Sequence, residues 1–86
     1  HIAAAAEAMA LGIKAGIEAR TLYDIVITAA GNSWMFENRM PHVLEADETP
    51  RSAVDIFVKD LGLVGELARS MAFPAPLATQ AHQLFI

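Results

Sequence analysis

The strongest constraint in the sequence is the spacing of its apolar residues, which recur every three or four positions in five segments. This spacing places them along one side of an α-helix, whereas a half-buried strand would alternate apolar and polar residues. Residues 25–28 (Ile-Val-Ile-Thr) are the exception, because they are β-prone and a strand competes there. Helix start and stop signals flank that run, and we favour a helix. The sequence therefore predicts an all-α fold.

The first predicted helix, 2–15, is rich in alanine, the best helix former, and Gly16 is placed to end it. On a helical wheel Glu7 and Lys14 share one narrow polar side. We therefore expect this helix to be central and nearly surrounded by its neighbours.

The third predicted helix follows the second at Gly31. Asn32 or Ser33 can cap its start, and Met40-Pro41 is expected to end it. Residues 41–51 are then a connector that carries three acidic residues, Glu45, Asp47 and Glu48.

The best amphipathic helix is predicted over 53–72, with Ser52 as its cap. Its apolar residues form two stripes, so we expect neighbours to cover it on two sides. Residues 73–76 (Phe-Pro-Ala-Pro) break it, and a last helix is predicted over 77–86.

Length and composition limit the function. With 86 residues the chain has room for one domain, and its net charge of −4 argues against nucleic acid or an anionic membrane surface as partner. No apolar run is long enough to span a membrane. The absence of cysteine excludes a disulfide framework and fits a cytoplasmic protein. His1 is not an initiator methionine and the first helix starts without a capping side chain, so we expect a segment of a longer protein.

Few residues could carry chemistry. The three histidines lack a metal-ligand spacing, and no metal site is expected. Lys59 can form a surface ion pair with Asp55, four residues earlier. Asp60 projects between the two apolar stripes, where a carboxylate needs a partner; it is either a tether at the edge of the core or a functional group. Residues 34–36 (Trp-Met-Phe) form a packing cluster or a ligand wall.

Two runs resemble a known family: HIAAAAEAMALGIKAGIEARTLYDIVITAAGNSWMFENRM and TPRSAVDIFVKDLGLV. They are similar to the C-terminal helical domain of the β-hydroxyacid dehydrogenases, which include 3-hydroxyisobutyrate, tartronate-semialdehyde and 6-phosphogluconate oxidoreductases. Lys59-Asp60-Leu61-Gly62-Leu63 matches the KDLGLA-type motif of that family, with Val64 in place of alanine.

The resemblance implies that residues 1–86 are the multi-helix C-terminal domain of a 6-phosphogluconate dehydrogenase-like two-domain enzyme. NAD, or NADP, would be bound mainly by an N-terminal Rossmann domain absent from this chain. That domain would be a partner of these residues within one enzyme, and the enzyme would form a homo-oligomer. The substrate would be a small β-hydroxyacid.

The resemblance also implies roles for single residues. Lys59 would reach the cofactor, and Asp60 would support the motif. Asn32 and Ser33 would line a substrate cleft. The catalytic lysine of the family would lie upstream of His1, so the segment alone would be inactive.

A hypothesis of another class is a non-catalytic helical interaction module. It is supported by the lack of a complete active site within these residues. Both hypotheses predict self-association, because helices 2–15 and 53–72 carry more apolar surface than so short a chain can bury.

Overall fold

The computed structural model describes residues 1–46 and 54–86. Every regular element in these two ranges is an α-helix: α1 (Ile2–Lys14), α2 (Ala19–Val26), α3 (Trp34–Leu44), α4 (Val54–Ser70) and α5 (Pro76–Phe85). Residues 1–46 belong to one compact unit and residues 54–86 to a second. None of the helices in these ranges is long and apolar enough to cross a membrane. The predicted cap Ser52, the acidic residues Asp47 and Glu48 and the rest of 47–53 lie outside the described residues.

The first unit is built around one side of α1. Met9 is fully buried there, and Ala5, Phe36 and Met40 complete the set of buried apolar residues. A Cβ on Gly12 would overlap the Leu22 side chain, so glycine at this position allows α2 to pack closely on α1.

The opposite side of α1 is open to solvent. Leu11 is 70% exposed and Ile13 is 45% exposed. The expectation of a nearly surrounded first helix is therefore wrong for this chain, because helical spacing identifies an apolar side without supplying the segment that covers it.

The third helix starts as predicted and ends later. Ser33 is its N-cap: the backbone there is extended and the side-chain oxygen accepts a hydrogen bond from the Phe36 N–H at 3.0 Å. The helix then passes through Pro41 to Leu44, so the prediction that Met40-Pro41 ends it is wrong. Proline removes the N–H that would bond the carbonyl four residues earlier, that of Glu37. The Tyr23 hydroxyl donates to this carbonyl at 2.9 Å and replaces the lost bond.

The second unit is a pair of helices with a thin interface. The rings of Phe57 on α4 and Phe85 on α5 stack with centroids 4.9 Å apart, and a Cβ on Gly62 would stand in ordinary contact with the His82 ring. Neither helix contains a buried residue. One apolar stripe of α4 stays exposed, with Leu63 at 58% and Leu67 at 63%, so the expected cover on two sides is not found within this unit.

Helix α4 ends in a Schellman-type turn just before the predicted break. The Phe73 N–H bonds the Ala68 carbonyl at 2.9 Å, and the Ala72 N–H bonds the Arg69 carbonyl at 3.1 Å. This turn holds Ala72 at a φ of 51°, in the left-handed region that glycine adopts without steric cost.

Replacing Ala72 with glycine should therefore raise the free energy of unfolding. We expect a gain of about 0.5–1 kcal/mol, since the left-handed conformation costs an L-residue roughly 1–2 kcal/mol and the added flexibility of glycine in the unfolded chain offsets part of the gain. Urea denaturation measures it. Ala10→Gly, at an exposed interior position of α1, is the control and should lose about 1 kcal/mol. An Ala72→Gly variant as destabilised as the control would contradict this account.

Candidate functional site

Lys59 and Asp60 lie next to each other on the exposed side of α4. Their Nζ and Oδ1 atoms are 3.3 Å apart, and the two side chains are 69% and 58% exposed. An ion pair this exposed contributes at most about 1 kcal/mol, so Lys59 is held only loosely. Its ammonium group carries three hydrogen-bond donors and is accessible to an anionic ligand.

Asp60 differs from its sequence-based expectation in its surroundings. It shares a side of α4 with Leu63 and Leu67, three and seven residues later, as the helical wheel requires. That side is uncovered in this chain, so the carboxylate faces solvent and Lys59 is its ion-pair partner. Asp60 is therefore not buried between the two apolar stripes as expected.

Asn32 and Ser33 form the turn between α2 and α3. The Asn32 amide nitrogen donates to the Ile27 carbonyl at 3.2 Å and ties the turn to the end of α2. Its Oδ1 atom is buried and accepts no hydrogen bond from the described residues. The Ser33 oxygen accepts from Phe36 as the helix cap, which leaves the hydroxyl hydrogen available to donate to a ligand.

A cavity of about 270 Å³ opens beside this turn, between α1 and the start of α3. Ala4 and Ala8, one helical turn apart, leave the space, and Gly31, Ser33 and Phe36 line it from the other side. The walls are mainly apolar, with His1 and Ser33 as the polar residues of the lining. Such a pocket suits a small molecule that presents one polar group to the hydroxyl.

The predicted aromatic cluster at 34–36 is split by the fold. Phe36 is buried and reaches the cavity, whereas Trp34 is 66% exposed. The Arg39 guanidinium lies over the Trp34 ring, 5.5 Å from its centroid. Within 1–46 and 54–86 no group of three or more acidic or histidine side chains is placed to hold a metal ion.

Sequence reasoning missed the cavity and the role of Tyr23. The alanines of the first helix were used only as evidence for helix formation. Small residues four positions apart on one side of a helix can equally leave a pocket, and that spacing was the signal available. Tyr23 gave no comparable signal, because its partner carbonyl lies on another helix.

The site residues fall into two groups. Asn32 and Ser33 belong to the first compact unit, and Lys59 and Asp60 belong to the second. Each group offers one kind of chemistry: a hydroxyl at an apolar cavity in the first unit, and an accessible cation in the second.

A family model described as "NAD-binding of NADP-dependent 3-hydroxyisobutyrate dehydrogenase" matches residues 1–86. Among curated proteins, the chain is 63% identical to L-threonate dehydrogenase of Cupriavidus necator over 86 residues, which are 100% of this chain and 29% of that protein. It is 64% identical to L-threonate dehydrogenase of Escherichia coli K12, over 99% of this chain and 28% of that protein.

A solved structure agrees with these relatives. The crystal structure of 3-hydroxyisobutyrate dehydrogenase from Salmonella typhimurium matches with a TM-score of 0.94 and 66% identity. The match covers 99% of this chain and 30% of that one. The chain thus spans less than a third of the length of the proteins it matches, and the predicted likeness to hydroxyacid dehydrogenases is confirmed.

The comparisons also correct the predicted cofactor arrangement. NAD was expected to be bound mainly by a Rossmann domain absent from this chain, whereas the family model that matches residues 1–86 is itself that of an NAD-binding region. The prediction followed the resemblance to a two-domain enzyme, which assigned NAD mainly to the other domain.

The predicted fold class is corrected by the same finding. A C-terminal all-α domain that leaves the cofactor to an N-terminal Rossmann partner does not agree with a match to the NAD-binding region. The predicted helices are present. They are now assigned to the NAD-binding region, and no longer to a domain that leaves the cofactor to a partner.

Proposed function

The chain belongs to the family of the NAD-binding region of NADP-dependent 3-hydroxyisobutyrate dehydrogenases, and we propose that it contacts the nicotinamide dinucleotide in a hydroxyacid dehydrogenase. The observation that carries this proposal is the exposed Lys59 ammonium in the KDLGL motif of α4. The whole protein would oxidise a small β-hydroxyacid, with the nicotinamide ring supplying the hydride acceptor when the dinucleotide is bound.

Lys59 fits a contact to the dinucleotide by its charge and its accessibility. An ammonium group donates charge-assisted hydrogen bonds to phosphate oxygens, and these are stronger than neutral ones. Asp60, 3.3 Å away, offsets part of the charge of the amine while no ligand is bound. We assign Asp60 this supporting role.

Ser33 and Asn32 are the proposed substrate contacts. The Ser33 hydroxyl at the cavity can donate to a carboxylate or hydroxyl oxygen, and the small alanines opposite leave room for a short carbon chain. L-Threonate is the substrate that the names of the curated relatives support. 3-Hydroxyisobutyrate and tartronate semialdehyde are the alternatives.

We assign the acid–base lysine of the reaction to a part of the protein outside these residues. Lys14 lies in the last turn of α1, and Lys59 belongs to the cofactor motif. The segment alone is therefore expected to be inactive, and the intact protein to be a cytoplasmic homo-oligomer in which other surfaces cover the exposed stripe of α4.

Lys59→Ala in the full-length protein should weaken NAD binding by about ten- to a hundredfold, the range expected when a hydrogen bond from a charged group is lost. Isothermal titration calorimetry measures this Kd. Arg69→Ala, which removes another exposed cation from α4, is the matched control and should change the Kd less than twofold. Equally small effects from both variants would reduce Lys59 to a surface ion pair and contradict its contact with the dinucleotide.

Ala8→Leu should raise the KM for the hydroxyacid at least tenfold, because the larger side chain would occupy the cavity beside Ser33. The Kd for NAD should stay unchanged. Ala6→Leu adds the same side chain at an exposed position of α1 and should leave both constants as they are. A KM unchanged in Ala8→Leu would exclude this cavity as the substrate site.

A further inference from the structure

Tyr23 contacts Phe36 and Glu37 of α3, and these two residues in turn hydrogen-bond Ser33. Its hydroxyl donates to the Glu37 carbonyl at 2.9 Å, and its ring stacks on that of Phe36 with centroids 5.8 Å apart and planes at 13°. The Phe36 N–H donates to the Ser33 hydroxyl oxygen, and the Glu37 N–H donates to the Ser33 carbonyl, both at 3.0 Å.

The phenolic bond takes the place of a helix bond that Pro41 removes. In an uninterrupted helix the N–H of residue 41 would bond the Glu37 carbonyl, and proline has no N–H. Without Tyr23 this exposed carbonyl would bond water, and the segment that begins with Ser33 would lose this tie to α2. The bond from Tyr23 satisfies this carbonyl from another helix.

We propose that Tyr23 is a positioning residue for the substrate site: it fixes the Ser33 hydroxyl at the cavity through Phe36 and Glu37. This inference rests on the proposed role of the cavity, because Ser33 and Phe36 line it. Tyr23 acts on the substrate only through these two neighbours.

The test is Tyr23→Phe in the full-length protein, which removes the hydroxyl and keeps the ring stack. The KM for the hydroxyacid should rise about three- to tenfold, as expected for the loss of one hydrogen bond that orients a contact. The kcat should change less than twofold, and so should the Kd for NAD, since Lys59 lies on α4 in the other unit.

Pro41→Ala gives the readout that separates positioning from general destabilisation. Alanine restores the N–H that can bond the Glu37 carbonyl, so the phenolic hydroxyl becomes redundant. The KM of the Tyr23→Phe/Pro41→Ala protein should therefore lie within twofold of that of Pro41→Ala alone. Thr28→Val is the control: it removes a hydroxyl that donates to the Ile25 carbonyl within the same segment, and it should leave the KM unchanged.

The outcomes distinguish this inference from the function it rests on. If Ala8→Leu raises the KM and Tyr23→Phe does not, the cavity stands and the role of Tyr23 is overturned. If Tyr23→Phe raises the KM equally with and without Pro41→Ala, the bond to Glu37 is not the cause and the inference also fails. If neither Ala8→Leu nor Tyr23→Phe changes the KM, the cavity is not the substrate site, and the inference falls with it.

Discussion

The packing of Met9 against Phe36 and Met40 is the interaction on which the first unit depends. It joins α1 to α3 and contains the buried apolar residues of the described chain, together with Ala5. Residues of α2 that are partly buried, among them Leu22 and Tyr23, pack against this cluster. Because α3 is fixed on α1 by its buried side, its first turn comes to lie beside the alanines of α1, and the cavity at Ser33 follows from that placement.

The second unit lacks such a core. Its two helices are joined by the stack of Phe57 on Phe85, and no residue of either helix is buried. A large part of the apolar surface of α4 is therefore left for other contacts, and Asp60 lies on that exposed side. The chain spans less than a third of the length of its relatives.

Local rules predicted much of this fold. The helices, the Ser33 cap and the break after α4 all follow from spacing, capping and proline within a few residues. The passage of α3 through Pro41 could not be predicted this way, because the bond that permits it comes from Tyr23 on another helix. Likewise, the helical wheel placed Asp60 correctly on an apolar side but could not say what covers it.

The cofactor was the harder part to predict. The chain lacks a glycine-rich phosphate loop, and the family resemblance assigned the cofactor mainly to another domain. A single exposed lysine on a helix is a weak signal by itself, since most such residues are solvated ion pairs. We propose Lys59 as a cofactor contact because the chain matches an NAD-binding region and because this ammonium group is accessible.

The most direct test of the central claim measures the reactivity of Lys59 itself. The chain contains two lysines, Lys14 and Lys59, so acetylation of the full-length protein followed by mass spectrometry can compare them within one sample. Saturating NAD should slow the labelling of Lys59 at least several-fold and leave the labelling of Lys14 unchanged. Labelling of Lys59 at the same rate with and without NAD would contradict a contact between this lysine and the dinucleotide.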